Sequence, residues 1–132
     1  MLREKANAED RDEAIGNLLC TMLFPAAHKV QEAVDRARQT KANLHLAFAL
    51  ACYQHEHGDY PRKLETLAPK YLAKIPGDLF SGKVLIYCPA AGGYLLYSIG
   101  VNGKDEQGRT SEDDPPGDDL VVRMPLPRLL RK

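Results

Sequence analysis

The chain has 132 residues, 44% of them apolar and 27% charged, which is enough for one domain with a buried core. Its 18 basic and 18 acidic side chains cancel, so there is no electrostatic case for a nucleic-acid partner. No apolar stretch approaches the roughly 20 residues that cross a bilayer, and the charged run at residues 3–13 is not that of an export signal, so neither membrane insertion nor targeting is expected of the chain as written.

Residues 1–25 read as a lead-in, first charged with both signs and then apolar through Leu18, Leu19, Met22 and Leu23. Proline removes a backbone donor and clashes with the preceding turn, so Pro25 predicts a break, with a new helix behind it. Over 26–57, Val30, Val34, Ala37, Leu44, Phe48 and Ala51 recur at helical steps and are expected to form the buried face. Lys29, Glu32, Asp35, Arg36, Arg38, Gln39 and Lys41 take the solvent side. Residues 44–53 are apolar nearly all round, which predicts an enclosed half. Gly58 suits the left-handed position just past a helix end.

The periodicity then changes. Leu64, Leu67 and Leu72 anchor a short helical segment interrupted near Pro69, and Pro76-Gly77-Asp78 and Ser81-Gly82 read as turns. Residues 84–88 and 94–99 are strand-like, joined by a hairpin loop at 89–93, and 120–124 forms a third strand. One helix followed by about three antiparallel strands is an α+β order, with a domain over 26–124 and a basic tail at 125–132 carrying Arg128, Arg131 and Lys132. Cys20, Cys52 and Cys88 are widely spaced with no CxxC pair, and their apolar surroundings predict small core residues.

The 100–119 loop is the candidate for chemistry. Asp105, Glu106, Glu112, Asp113, Asp114, Asp118 and Asp119 face only Lys104 and Arg109 as opposing charges. Carboxylates gathered in one loop repel one another, and a hard cation relieves that. Calcium takes six to eight oxygens in irregular geometry. The competing reading is a solvated acidic loop, because the regular EF-hand spacing is missing. His55-Glu56-His57 is a weaker metal candidate, since helix positions two apart point to different sides. No serine or cysteine stands in a nucleophile-elbow context, so the residues point away from an enzyme, with a hydrolase built on the acidic loop as the remaining alternative.

Four stretches carry a resemblance to a known family. Tyr53-Gln54-His55-Glu56-His57-Gly58-Asp59-Tyr60-Pro61 is similar to a helix end reading Tyr-x-x-x-x-Gly-x-Tyr-Pro. Leu64 through Leu72 matches the segment behind it. Pro76-Gly77-Asp78-Leu79-Phe80-Ser81-Gly82 is similar to a Pro-x-Asp-Pro-Trp-Gly stretch. Tyr97-Ser98-Ile99-Gly100-Val101-Asn102-Gly103, with Asp118-Asp119-Leu120, is similar to a pair that brackets a calcium site. From about Ala42 to Met124 the chain thus resembles the C-terminal domain of the major, G-type pseudopilin of type II secretion, without that family's processing motif and membrane helix. The resemblance implies a pilin-like fold, a non-enzymatic structural or interaction role with protein partners or self-association, and the bacterial cell envelope. It also implies calcium held by Asn102, Asp105, Asp118 and Asp119. The same module at the end of a larger envelope protein is the alternative it suggests.

Overall fold

A computed structural model describes the backbone of residues 2–126 and the side chains of residues 11–126; the basic tail residues Arg128, Arg131 and Lys132 lie outside the described residues. The chain divides into two compact units, Met1–Val34 and Asp35–Lys132. The helix α1 spans Leu2–His57, and Pro25 lies inside it. The expected break at Pro25 is therefore corrected. A single proline costs about 3 kcal/mol in a helix interior, and the residues before and after it keep helical geometry. In the first unit, Thr21 Oγ1 donates to the Asn17 carbonyl at 2.7 Å and His28 pairs with Glu32 at 3.0 Å. Ile15, Leu18, Leu19, Met22, Leu23 and Val30 are exposed.

The second unit is α+β. The sheet has β1 (Ile86–Ala90), β2 (Gly93–Ser98) and β3 (Leu120–Met124), all antiparallel in the order β1-β2-β3. Ala90 pairs with Gly93, so the hairpin turn is only Ala91-Gly92, tighter than the 89–93 loop expected from sequence. Gly92 takes a positive φ of 71°, which a side chain resists and glycine does not. Pro89 sits in the edge strand β1, where a missing N–H is tolerated. Val84, expected in that strand, instead makes an isolated bridge to Gly77. The short helical segment is a 3-10 turn, Leu64–Leu67, and Gly58 ends α1 with φ 81° while its N–H donates to the Gln54 carbonyl.

The core joins Leu46, Ala49 and Leu50 of α1, Leu64 and Leu67 of the 3-10 turn, Leu85, and Tyr94 and Leu96 of β2. Full burial of one leucine side chain stabilises by about 1.5–3 kcal/mol. The buried stripe of α1 is Gln39, Asn43, Leu46 and Leu50 with Tyr53 half-buried, not the expected one. Leu44 and Phe48 are exposed, Phe48 by 71%, so the 44–53 segment is not enclosed all round. Two buried amides open the true stripe. Gln39 Oε1 accepts from the Leu79 N–H at 2.7 Å, its Nε2 donates to Asn43 Oδ1 at 2.8 Å, and Asn43 Nδ2 donates to the Leu120 carbonyl at 2.9 Å. This relay ties helix, turn and β3 together with its amides paired, as burial requires. Cys20, Cys52 and Cys88 are free and exposed, which corrects the core assignment; Cys52 falls on the outward side of α1 and Cys88 on edge strand β1.

Candidate functional site

The acidic loop is a layer of the fold. Successive strand residues alternate faces, so Tyr94 and Leu96 point to α1 and Leu95 and Tyr97 to the other side. There the loop returns over the sheet. Tyr97 is buried and its hydroxyl donates to Asp105 Oδ1 at 3.0 Å. At Gly108 (φ 78°) a Cβ would stand 3.0 Å from a Leu95 methyl, so glycine permits the close cover.

Each of the sequence-predicted residues has a defined place. Asn102 Oδ1 accepts from the Lys104 N–H at 2.8 Å, and its Nδ2 donates to Glu106 Oε1 at 2.7 Å. Asp105 also accepts from the Gln107 N–H at 2.8 Å. Asp118 Oδ1 accepts from Arg36 of α1 at 2.6 Å and its Oδ2 from the Asn102 N–H at 3.1 Å. Despite the burial opposing it, these bonds hold the Asp118 carboxyl below the usual carboxylate range. Asp119 is 3% exposed. Its Oδ2 accepts from the Gly108 N–H at 2.8 Å, and its Oδ1 is buried with no partner among the described residues. Burial first, then the charges of Glu106 and Asp105, push the Asp119 carboxyl above its ordinary value, against the Gly108 bond.

Glu106, counted in the acidic run but not among the four residues expected to hold calcium, is central. Its Oε1 accepts from Asn102 and its Oε2 from the Asp118 N–H at 2.8 Å, so one side chain joins both ends of the loop. Only its place in the acidic run could have flagged it. At Gly100 (φ 72°) a Cβ would run into the Asp118 backbone carbonyl, which closes the loop base.

Asp78 was also missed as a polar anchor. Buried between the 76–82 turn and the end of β2, it accepts from Ser98 Oγ (2.6 Å), Ser81 Oγ (2.8 Å) and the N–H groups of Phe80 (3.0 Å) and Ile99 (3.3 Å). These bonds outweigh burial and lower its titration. The histidine trio is dispersed. His57 stacks on Tyr53 with ring centroids 4.0 Å apart, His55 is exposed, and Glu56 binds Lys70 and the Tyr71 hydroxyl.

Among the described residues, no group of three or more His, Cys, Asp or Glu side chains stands ready to hold a metal ion. One carboxylate oxygen of the loop is nevertheless left over. Asp119 Oδ1 is an unsatisfied, buried, anionic oxygen repelled by two further carboxylates, and its relief calls for a proton or a cation. No helix among the described residues is long and apolar enough to cross a membrane. No protein-family model, no curated protein and no solved structure matches the chain.

Proposed function

We propose that this chain is a non-enzymatic, pseudopilin-like structural or interaction domain in which calcium organises the 100–119 loop. The observation that carries this reading is Asp119 Oδ1, buried without a partner beside Glu106 and Asp105. Asp119 would anchor the ion, with Asp105 and Glu106 as the nearest further carboxylates and Asn102 and Asp118 framing the loop. A bound ion adds charge stabilisation where the loop lacks it and holds β3 through the neighbouring Leu120. The non-enzymatic part is supported by what the reactive groups do. Ser81 and Ser98 both donate to Asp78, and His57 is stacked on a tyrosine. The implied compartment is the bacterial cell envelope, with protein partners or self-association.

A thermal melt with calcium, with magnesium and with a chelator tests the reading. An ion that binds only the folded chain stabilises by about 2.7 kcal/mol at a hundredfold excess over Kd. Calcium is expected to raise Tm beyond magnesium. Asp119→Asn is expected to abolish that shift while melting no lower than the parent in chelator, because it removes an unpaired buried charge. No calcium shift in the parent, or a full shift in Asp119→Asn, overturns the assignment.

A further inference from the structure

The outer edge of β3 is half occupied. In a two-residue hairpin the closing pair is hydrogen-bonded and the pattern alternates from there. Ala90 and Gly93 close the hairpin, so Tyr94, Leu96 and Ser98 bond to Met124, Val122 and Leu120. Odd-numbered residues of β3 therefore aim their N–H and C=O groups away from the sheet. The loop confirms this parity. The Asp119 N–H donates outward to the Arg109 carbonyl at 3.1 Å, and the Gly117 N–H to the Thr110 carbonyl at 2.8 Å. Arg109-Thr110 thus covers the start of this edge with its two carbonyls, without forming a strand. The cover ends there, because Gln107 and Gly108 take positive φ values of 61° and 78° and turn the chain over the sheet. Beyond that point the outward groups of Val121 and Arg123 meet no backbone partner among the described residues.

This open stretch begins in a cleft of about 220 Å³. Arg36, Thr40 and Asn43 of α1 form one wall, and Thr110 and Ser111 the other. We infer that the open edge of β3 docks an extended basic peptide, added as an antiparallel strand beyond the stretch that Arg109-Thr110 covers. Main-chain bonds to an exposed edge supply the affinity in this mode of recognition, and flanking groups supply the selectivity. The charge comes from the tight turn beside Ser111, closed by the Asp113 N–H on the Thr110 carbonyl at 3.2 Å. Of its neighbouring carboxylates, Asp113 is matched by Arg123 at 3.6 Å, whereas Glu112 and Asp114 are exposed and form no ion pair among the described residues; Arg109, which donates to the Glu106 and Pro115 carbonyls, offsets one of these two charges. The excess is negative, so the complementary strand is basic. Walls on both sides favour a single chain over a second copy, whose own helix and turn would meet the same walls.

The test is a titration of the isotope-labelled full chain, in chelator, with a blocked Lys-Val-Lys-Val-Lys-Val peptide. Saturable shifts and slowed hydrogen exchange are expected at the Val121 and Arg123 amides. The same peptide N-methylated at alternate backbone nitrogens is expected to bind about tenfold or more weakly, the loss of one or two hydrogen bonds. A Glu-Val peptide is expected not to bind, and a Glu112→Gln/Asp114→Asn double variant to weaken the lysine peptide several-fold with the same footprint. No saturation, a footprint on β1 or on Leu44 and Phe48, or equal binding of the glutamate peptide overturns the proposal. So does protection of Val121 and Arg123 without peptide in a chain that diffuses as a dimer, since a second copy then fills the edge.

Discussion

The two faces of the three-stranded sheet are covered by different physics. Against the α1 side lie Leu46, Ala49, Leu50, Leu64 and Leu67, and removal of apolar surface from water holds that face. Against the other lies an irregular loop whose contacts are largely directional bonds, from Tyr97 to Asp105, Gly108 to Asp119 and Arg36 to Asp118. Apolar contacts on the first face tolerate substitutions that conserve volume. The loop face depends on specific atoms, and at Asp119 one of them is left over. The contrast teaches where stability and where sensitivity to solution conditions reside.

The largest effect should come from the apolar face. Leu50→Ala is expected to cost about 2–5 kcal/mol in urea or thermal denaturation, because Leu50 is 0% exposed. A cost under about 1 kcal/mol would break the comparison, since that face would then not depend on packing. Next is Asp78, whose bonds tie the polar end of the core. Asp78→Asn is expected to cost about 1.5–3 kcal/mol at neutral pH. Against its burial, the hydrogen bonds from Ser98, Phe80, Ser81 and Ile99 hold its carboxyl below the ordinary carboxylate value. The stabilisation is therefore complete above the unfolded value and lost as pH falls through the lower folded one. The gap between parent and variant should narrow as pH falls below the ordinary carboxylate value and close once the folded carboxyl is protonated; a gap that persists in strong acid would point to shape rather than charge.

A smaller effect belongs to the loop face. Tyr97→Phe keeps the ring and removes the hydroxyl on Asp105, which is expected to cost about 1 kcal/mol. Faster amide exchange confined to the loop would sharpen the contrast, and a global loss of protection would blur it. The smallest effect is expected outside both faces. Phe48→Ser should lie within about 0.5 kcal/mol of the parent by denaturant melt, because Phe48 is 71% exposed.

That last pair of residues, Leu50 and Phe48, also marks where sequence reasoning stopped. The α+β order, the third strand, the Gly58 helix end and the importance of the 100–119 loop are legible in composition and turn chemistry. The buried side of α1 is not, because residues 44–53 are apolar on both sides and periodicity fits either stripe. Gln39 looked like a surface residue because an isolated amide gives no hint of the Leu79 N–H that it meets 40 positions on. Within the loop, carboxylate content pointed to a cation, but the partition of roles did not follow. Arg36 and Asp118 are 82 residues apart, and Glu106 is distinguished from its neighbours only by contacts across the folded loop. The cysteines were misplaced for a related reason: apolar neighbours in sequence do not fix which way a side chain turns.

The Gln39–Asn43 pair settles more than its own hydrogen bonds. Over its last turns α1 carries two apolar stripes on opposite sides, one through Leu46 and Leu50 and one through Leu44 and Phe48. Greasiness alone gives the sheet little ground for preferring either. Two amides, bonded to each other and to the Leu79 N–H and the Leu120 carbonyl, act as an index mark, because rolling the helix half a turn would pull both away from those backbone groups and leave the Leu79 N–H without its acceptor. Replacing them with leucines would add apolar surface and erase the mark, trading a single rotational setting for two.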